Sequence, residues 1–193
     1  MPQLMGIFTA FGLSGAAGLN AYIPLLLTGV LARFNVIHLS SPYDILENWW
    51  VIGILSVLLV IEMVVDKIPG ADHVNDIIQT FVRPTAGALL FASAAGIITD
   101  INPYIALGLG LLMSGGVHIT KAAARPVVNT ATLGLGAPVV SFIEDALALV
   151  MAVLAIVLPI MIAFFLALLV VLAVWVFRRR RQRRQLVAVA AGA

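Results

Sequence analysis

From Val139 to Phe177 the chain runs for 39 residues with two charged side chains, Glu144 and Asp145. About 20 apolar residues suffice to cross the hydrocarbon of a bilayer, and one helix of that whole stretch would reach about 58 Å. Pro159, near its middle, predicts a kink or a tight hairpin, and the hairpin is the reading that fits a bilayer. Four more apolar stretches precede it, Met5 to Leu31, Trp49 to Val65, Pro84 to Thr99 and Pro103 to Thr120. The expected fold is therefore all-α, a polytopic transmembrane helix bundle of about six spans. It forms one domain over residues 1–177, followed by a basic tail at 178–193. Of the 193 residues 62% are hydrophobic and 10% charged, where soluble domains hold about 45–50% and 25%, so a soluble globular domain is excluded. The absence of cysteine excludes disulfides, thiolate metal sites and cysteine nucleophiles.

Six of the eleven basic residues lie between Arg178 and Arg184, and the rest of the chain balances five bases against nine acids, a charge of −4. The basic character thus belongs to a tail that follows an apolar span, which points to the cytoplasmic side and to anionic lipid headgroups, with no nucleic acid as partner. Met1-Pro2-Gln3 lacks the positive region of a secretory signal, so the first stretch is expected to remain as a span. Six spans then put both termini in the cytoplasm, together with the loops Lys67 to Arg83 and Lys121 to Arg125. Asp44, Glu47 and Asp100 fall outside, and Trp49-Trp50 falls at an interface. The expected location is an integral membrane protein of the bacterial inner membrane.

Small residues recur every four positions in the first stretch, at Gly6, Ala10, Ser14 and Gly18, a stripe that lets another helix approach closely. Internal packing explains it more simply than a homo-oligomer, which stays open. Polar clusters interrupt the apolar sequence. In Gly18-Leu-Asn20-Ala-Tyr22-Ile-Pro24, proline lacks the N–H that would bond the Asn20 carbonyl and crowds it, so a broken first helix is expected with Asn20 at the break. Such interruptions build mid-membrane ion sites in transporters. The densest cluster runs from Glu62 through Asp66 to Arg83-Pro84, with Pro69-Gly70 as a turn. After the turn, Val74, Ile77, Ile78, Phe81 and Val82 share one helical face, opposite Asp72, Asp76, Gln79 and Arg83, with His73 and Asn75 flanking. Two aspartates and one arginine are a poor surface anchor, so a re-entrant or bundle-facing helix is expected. His73 is the side chain there closest to titrating near neutral pH.

A third cluster holds His118, Lys121, Arg125-Pro126 and Asn129, with Lys121 and Arg125 on one helical face and able to pair with Asp66, Asp72 or Asp76 or to hold an anion. The fourth is Ser141 with Glu144-Asp145, a pair of adjacent carboxylates that is costly in a membrane unless hydrated, protonated or paired. The repeated Arg-Pro pairs, with Asn20 and Pro24 set against Asn129 and Pro138, hint at an internal duplication.

On Gly18-Leu-Asn-Ala-Tyr-Ile-Pro-Leu-Leu26, Asp66-Lys-Ile-Pro-Gly-Ala-Asp-His-Val-Asn-Asp76 and Lys121-Ala-Ala-Ala-Arg-Pro-Val-Val-Asn129, the chain resembles an uncharacterised family of small, mostly bacterial membrane proteins, a domain of unknown function. The resemblance reaches to about Asp145 and implies that these clusters belong together, without implying an activity.

Three functions compete. The first is a transporter or channel for a small ion or solute, with Asn20, Asp66, Asp72, His73, Asn75, Asp76, Arg83, Lys121, Arg125, Asn129 and Glu144 along its polar path. The second is a non-catalytic assembly or structural subunit whose clusters are salt bridges. The third is a metal-dependent enzyme acting on a phosphorylated lipid, with Asp72 and Asp76 on the metal and Arg83, Lys121 and Arg125 on phosphate. No nucleophile motif, zincin motif or phosphate loop supports an enzyme, and no cofactor is implied.

Overall fold

Asparagine opens three of the helices of this chain. Asn20 Oδ1 accepts from the backbone N–H groups of Tyr22 and Ile23 at 3.0 and 3.1 Å, Asn48 from Trp50 at 3.0 Å, and Asn102 from Tyr104 at 2.9 Å. Each satisfies donors that a helix start leaves bare. The computed structural model describes residues 2–66, 71–95, 101–132 and 136–159, with Phe164, Leu168, Val171 and Trp175 helical beyond them. The described residues are all-α, without a strand. They form α1 (Pro2–Leu19), α2 (Tyr22–Arg33), one 3-10 turn (Tyr43–Glu47), α3 (Trp49–Val65), α4 (Ala71–Ala95), α5 (Pro103–Ala131) and α6 (Ala137–Val157). The α2 helix stops where Asn35 takes a φ of 58°. The N–H groups of Asn35 and Val36 return to the carbonyls of Ala32 and Leu31, which closes the C-terminus with a residue type that tolerates the left-handed region.

The first apolar stretch, expected as one broken span, folds back on itself. Thr9 bonds the Ala155 carbonyl and Asn20 bonds Asp145, so α1 runs antiparallel to α6. Tyr22, at the start of α2, lies near Glu62 in the last turns of α3, whereas Gly29 packs against Leu46, just before α3, and Ile52 at its start, so α2 runs antiparallel to α3. In turn α3 ends at Asp66 beside Ser141, near the start of α6, so α2 and α6 run the same way. The two helices therefore make a V whose tip is Asn20-Ala21. The tip stops short of the far end of the bundle: α5 continues ten residues past Lys121, and α6 begins eight residues before Asp145. At 1.5 Å per residue the shortfall is about 12–15 Å. Pro24 sits in the first turn of α2, where a helix needs no N–H. The break is made at Asn20 itself.

Two further expectations are revised. The segment after Pro69-Gly70 is not a separate helix, because α4 continues unbroken from Ala71 through Pro84 to Ala95. The helix expected after the turn is thus joined to the next span, and likewise α5 runs through Arg125-Pro126, so 121–125 is helix where a loop was expected. At the Pro84 step Ser114 donates to the Arg83 carbonyl at 2.7 Å and ties α5 to α4. The last apolar block leaves the helix at Leu158 (φ −133°, ψ 65°), as expected for a residue pushed out of the α region by the proline that follows it. The hairpin expected beyond Pro159, Lys67 to Gly70 and the basic tail lie outside the described residues.

The core has two characters. Toward the open end of the V, α1 packs on α4, α5 and α6 through Ala10, Ser14, Ala17, Ala152 and Ala155, all fully buried, with Phe11 edge-on to Phe91 at 4.9 Å. The stripe of small residues is spent inside the chain. Gly87 is required here, because a Cβ would lie 2.2 Å from Ser114 Cβ and 2.9 Å from Ser14 Oγ. Around the tip, by contrast, Glu62, Asp66, Gln79, Arg83, His118, Lys121 and Asp145 are buried while Ile77, Ile78 and Phe81 of α4 are 62, 53 and 74% exposed. The described part of the amphipathic helix faces its polar residues Gln79 and Arg83 inward and its apolar face outward. Pro103–Ala124 and Pro138–Val157 are long and apolar enough to cross a membrane, and the rest of the chain covers only 28% of each window.

Candidate functional site

The tip of the V cuts a helix open inside the bundle, and each exposed end meets a polar side chain. At the C-terminal end of α1 the Leu19 carbonyl accepts from Lys121 Nζ at 3.0 Å, a cation where the helix dipole is negative. At the N-terminal end of α2 the Asn20 side-chain oxygen Oδ1 is the cap, while its Nδ2 donates to Asp145 Oδ1 at 2.9 Å. Lys121 also pairs with Glu144 Oε2 at 2.8 Å. The adjacent carboxylates thus go separate ways, Glu144 to Lys121 of α5 and Asp145 to Asn20.

Two apolar grooves flank the tip. One, of about 490 Å³, lies between α2, α3 and α6, with Asp145 as its polar contact among Leu26, Leu59, Met63 and Phe142. The other, of about 570 Å³, reaches Lys121 and Glu144 past Leu19, Met113 and Val117.

The next layer joins α3, α4 and α6. Asp66 accepts from Asn75 Nδ2 at 2.7 Å and from Ser141 Oγ at 3.2 Å. One turn back on α3, Glu62 Oε1 holds Arg83 Nη2 at 2.9 Å, both side chains being essentially inaccessible. His118 spans the gap to α5, with Nδ1 3.3 Å from Arg83 Nη1 and Nε2 3.2 Å from Thr80 Oγ1. A guanidinium only donates, so Nδ1 accepts and the proton sits on Nε2, facing the Thr80 hydroxyl. The Tyr22 hydroxyl lies against the Gln79 amide with Glu62 and Arg83 near it, which links α2 to this layer.

Of the expected site residues, Asn20, Asp66, Asn75, Arg83, Lys121 and Glu144 meet in this one network. The partners differ from those expected. Asn20 faces Asp145 of α6, and Tyr22 makes the connection to α4. Lys121 takes Glu144, and Arg83 takes Glu62, so two of the three cations assigned to an anion or phosphate each hold a carboxylate. The side chains of Asp72, His73, Asp76, Arg125 and Asn129 lie outside the described residues. Among the described residues no group of three or more His, Asp or Glu side chains is placed to hold a metal ion.

Sequence reasoning passed over Glu62, Asp145, His118, Gln79 and Tyr22 as site residues. The available signal was isolation: Glu62 interrupts the apolar run from Trp49 to Val65, and His118 lies three residues before Lys121.

A family model described as a domain of unknown function (DUF4126) matches residues 7–179, and the chain belongs to that family. No curated protein and no solved structure matches the chain.

Proposed function

We propose, for this member of a family that brings no activity with it, that the chain is a membrane transporter or channel for a small ion or solute. The observation that carries the reading is the helix break at Leu19–Tyr22, enclosed by Asn20, Lys121, Glu144 and Asp145. Opened helix ends present fixed dipoles and ionisable groups to a point inside an apolar bundle, the arrangement transporters use to bind and release a polar solute. Purified protein in liposomes should show a solute-specific flux, screened with alkali cations, protons and small anions, that falls at least tenfold in Asn20→Ala and Asp145→Asn. Liposomes that stay tight to all of these, with protein inserted and folded, would favour the reading as a structural subunit, which the mutually paired charges also fit.

The same reading gives a membrane arrangement. The V formed by α1 and α2 is a re-entrant hairpin that enters and leaves by one face, with α3 to α6 and the apolar sequence after Pro159 as crossings. With the arginines of the tail inside by the positive-inside rule, the start of α1 lies outside with Asp44 and Glu47, and of the two termini only the C-terminal one is cytoplasmic. Cysteines introduced as Met5→Cys and Asp44→Cys should label from one side, and Thr132→Cys from the other. Labelling of Met5→Cys and Thr132→Cys from the same side would overturn the hairpin.

A further inference from the structure

Arg83 and Glu62 form half of the contact their shapes allow. The N–H of Nε and the outer N–H of Nη2 lie along one edge of a guanidinium, and that edge commonly engages both oxygens of a carboxylate. Here Nη2 reaches Oε1 at 2.9 Å, while Arg83 Nε and Glu62 Oε2 have no hydrogen-bond partner. Gln79 Oε1, one helical turn before Arg83 on α4, has none either. All three residues are at most 2% exposed, and the Tyr22 hydroxyl brings them together from α2. A buried donor or acceptor left bare loses its hydration with nothing in return, so all three call for a partner.

We propose that this centre binds one water molecule, which accepts from Arg83 Nε and donates to Glu62 Oε2 and Gln79 Oε1. The donor and acceptor pattern selects that ligand. An ammonium or alkali cation has no lone pair for Arg83 Nε, a halide has no proton for the two acceptors, and a hydroxyl carries one proton for two positions. Three partners are the usual complement of a buried water. The next polar layer adjoins it: Asp66 lies one turn further along α3 and holds Asn75 of α4 and Ser141 of α6. The chain then carries a hydrated centre at Arg83, whether or not a solute crosses beyond it.

Full-length protein in lipid nanodiscs, labelled with 15N-arginine, tests this directly. The Arg83 Nε–H resonance, assigned by its loss in Arg83→Lys, should show magnetisation transfer from water and exchange with deuterium. The transfer should fall several-fold in Gln79→Leu, which removes an acceptor of the water and leaves the ion pair. Closure of Arg83 and Glu62 into a two-pronged pair, seen as an Nε–H with no transfer from water, overturns the proposal, as does unchanged transfer in Gln79→Leu. Arg83→Lys keeps the positive charge beside Glu62 and serves only to assign the resonance; the first point is then read from the wild-type spectrum.

Discussion

The middle of α1 and its C-terminal end solve the same packing problem with opposite chemistry. Near Ala10 and Phe11 the helix is held by close approach of small residues, Ala10 and Ser14 with Ala152, Ala155 and Gly87, and by Phe11 on Phe91. At Leu19 and Asn20 it is held by a lysine, an amide and two carboxylates from α5 and α6. Apolar contact alone would have closed the second region as well as the first. Charges buried beside a helix break add little net stability over well-packed apolar groups, so the contrast separates a packed scaffold from the polar region to which we assign solute binding.

That contrast can be broken from either side. The largest effect is expected for Arg83→Met, which strands Glu62 in the interior and should cost about 3–5 kcal/mol, read by unfolding in detergent or by steric trapping in bilayers. Glu62→Leu with Arg83→Met should recover much of it. Gly87→Ala should cost about 1–3 kcal/mol through overpacking against Ser114 and Ser14, while the flux per folded molecule stays unchanged. Asn20→Ala should cost about 1–2 kcal/mol as a lost cap and, unlike Gly87→Ala, should also lower flux. Asp44→Asn, exposed in the connection between α2 and α3, should change stability by less than about 0.5 kcal/mol. A Gly87→Ala protein that folds normally but loses flux would erase the distinction between scaffold and site.

The apolar runs and the interruption at Asn20 were legible in the sequence because both are local: hydrophobic length and one disfavoured helical position. The direction taken after the break was not, because a reversal and a kink share the same residues, and the choice rests on α3 and α6 being available to pack on α2. Pro84 misled for a related reason. A proline in an isolated helix marks an end, yet in α4 the helix persists with Ser114 bonding a carbonyl beside it. The polar face of α4 could be read from its period, and its burial follows once the surroundings are apolar. Partners were the least legible part. Lys121 had three aspartates within reach of argument, and the carboxylate it holds, Glu144, was known only as a neighbour of Asp145.

Asn20 spends both ends of its amide, the oxygen on the start of α2 and the nitrogen on Asp145. That makes it a point of chemical ageing as well as of architecture. Hydrolysis of the amide to a carboxylate would keep the cap but replace the donor facing Asp145 with another acceptor, setting two negative groups about 3 Å apart. A single deamidation would therefore convert the contact between α1 and α6 from attraction to repulsion. The burial of Asn20 at 1% exposure sets how long a folded molecule escapes it.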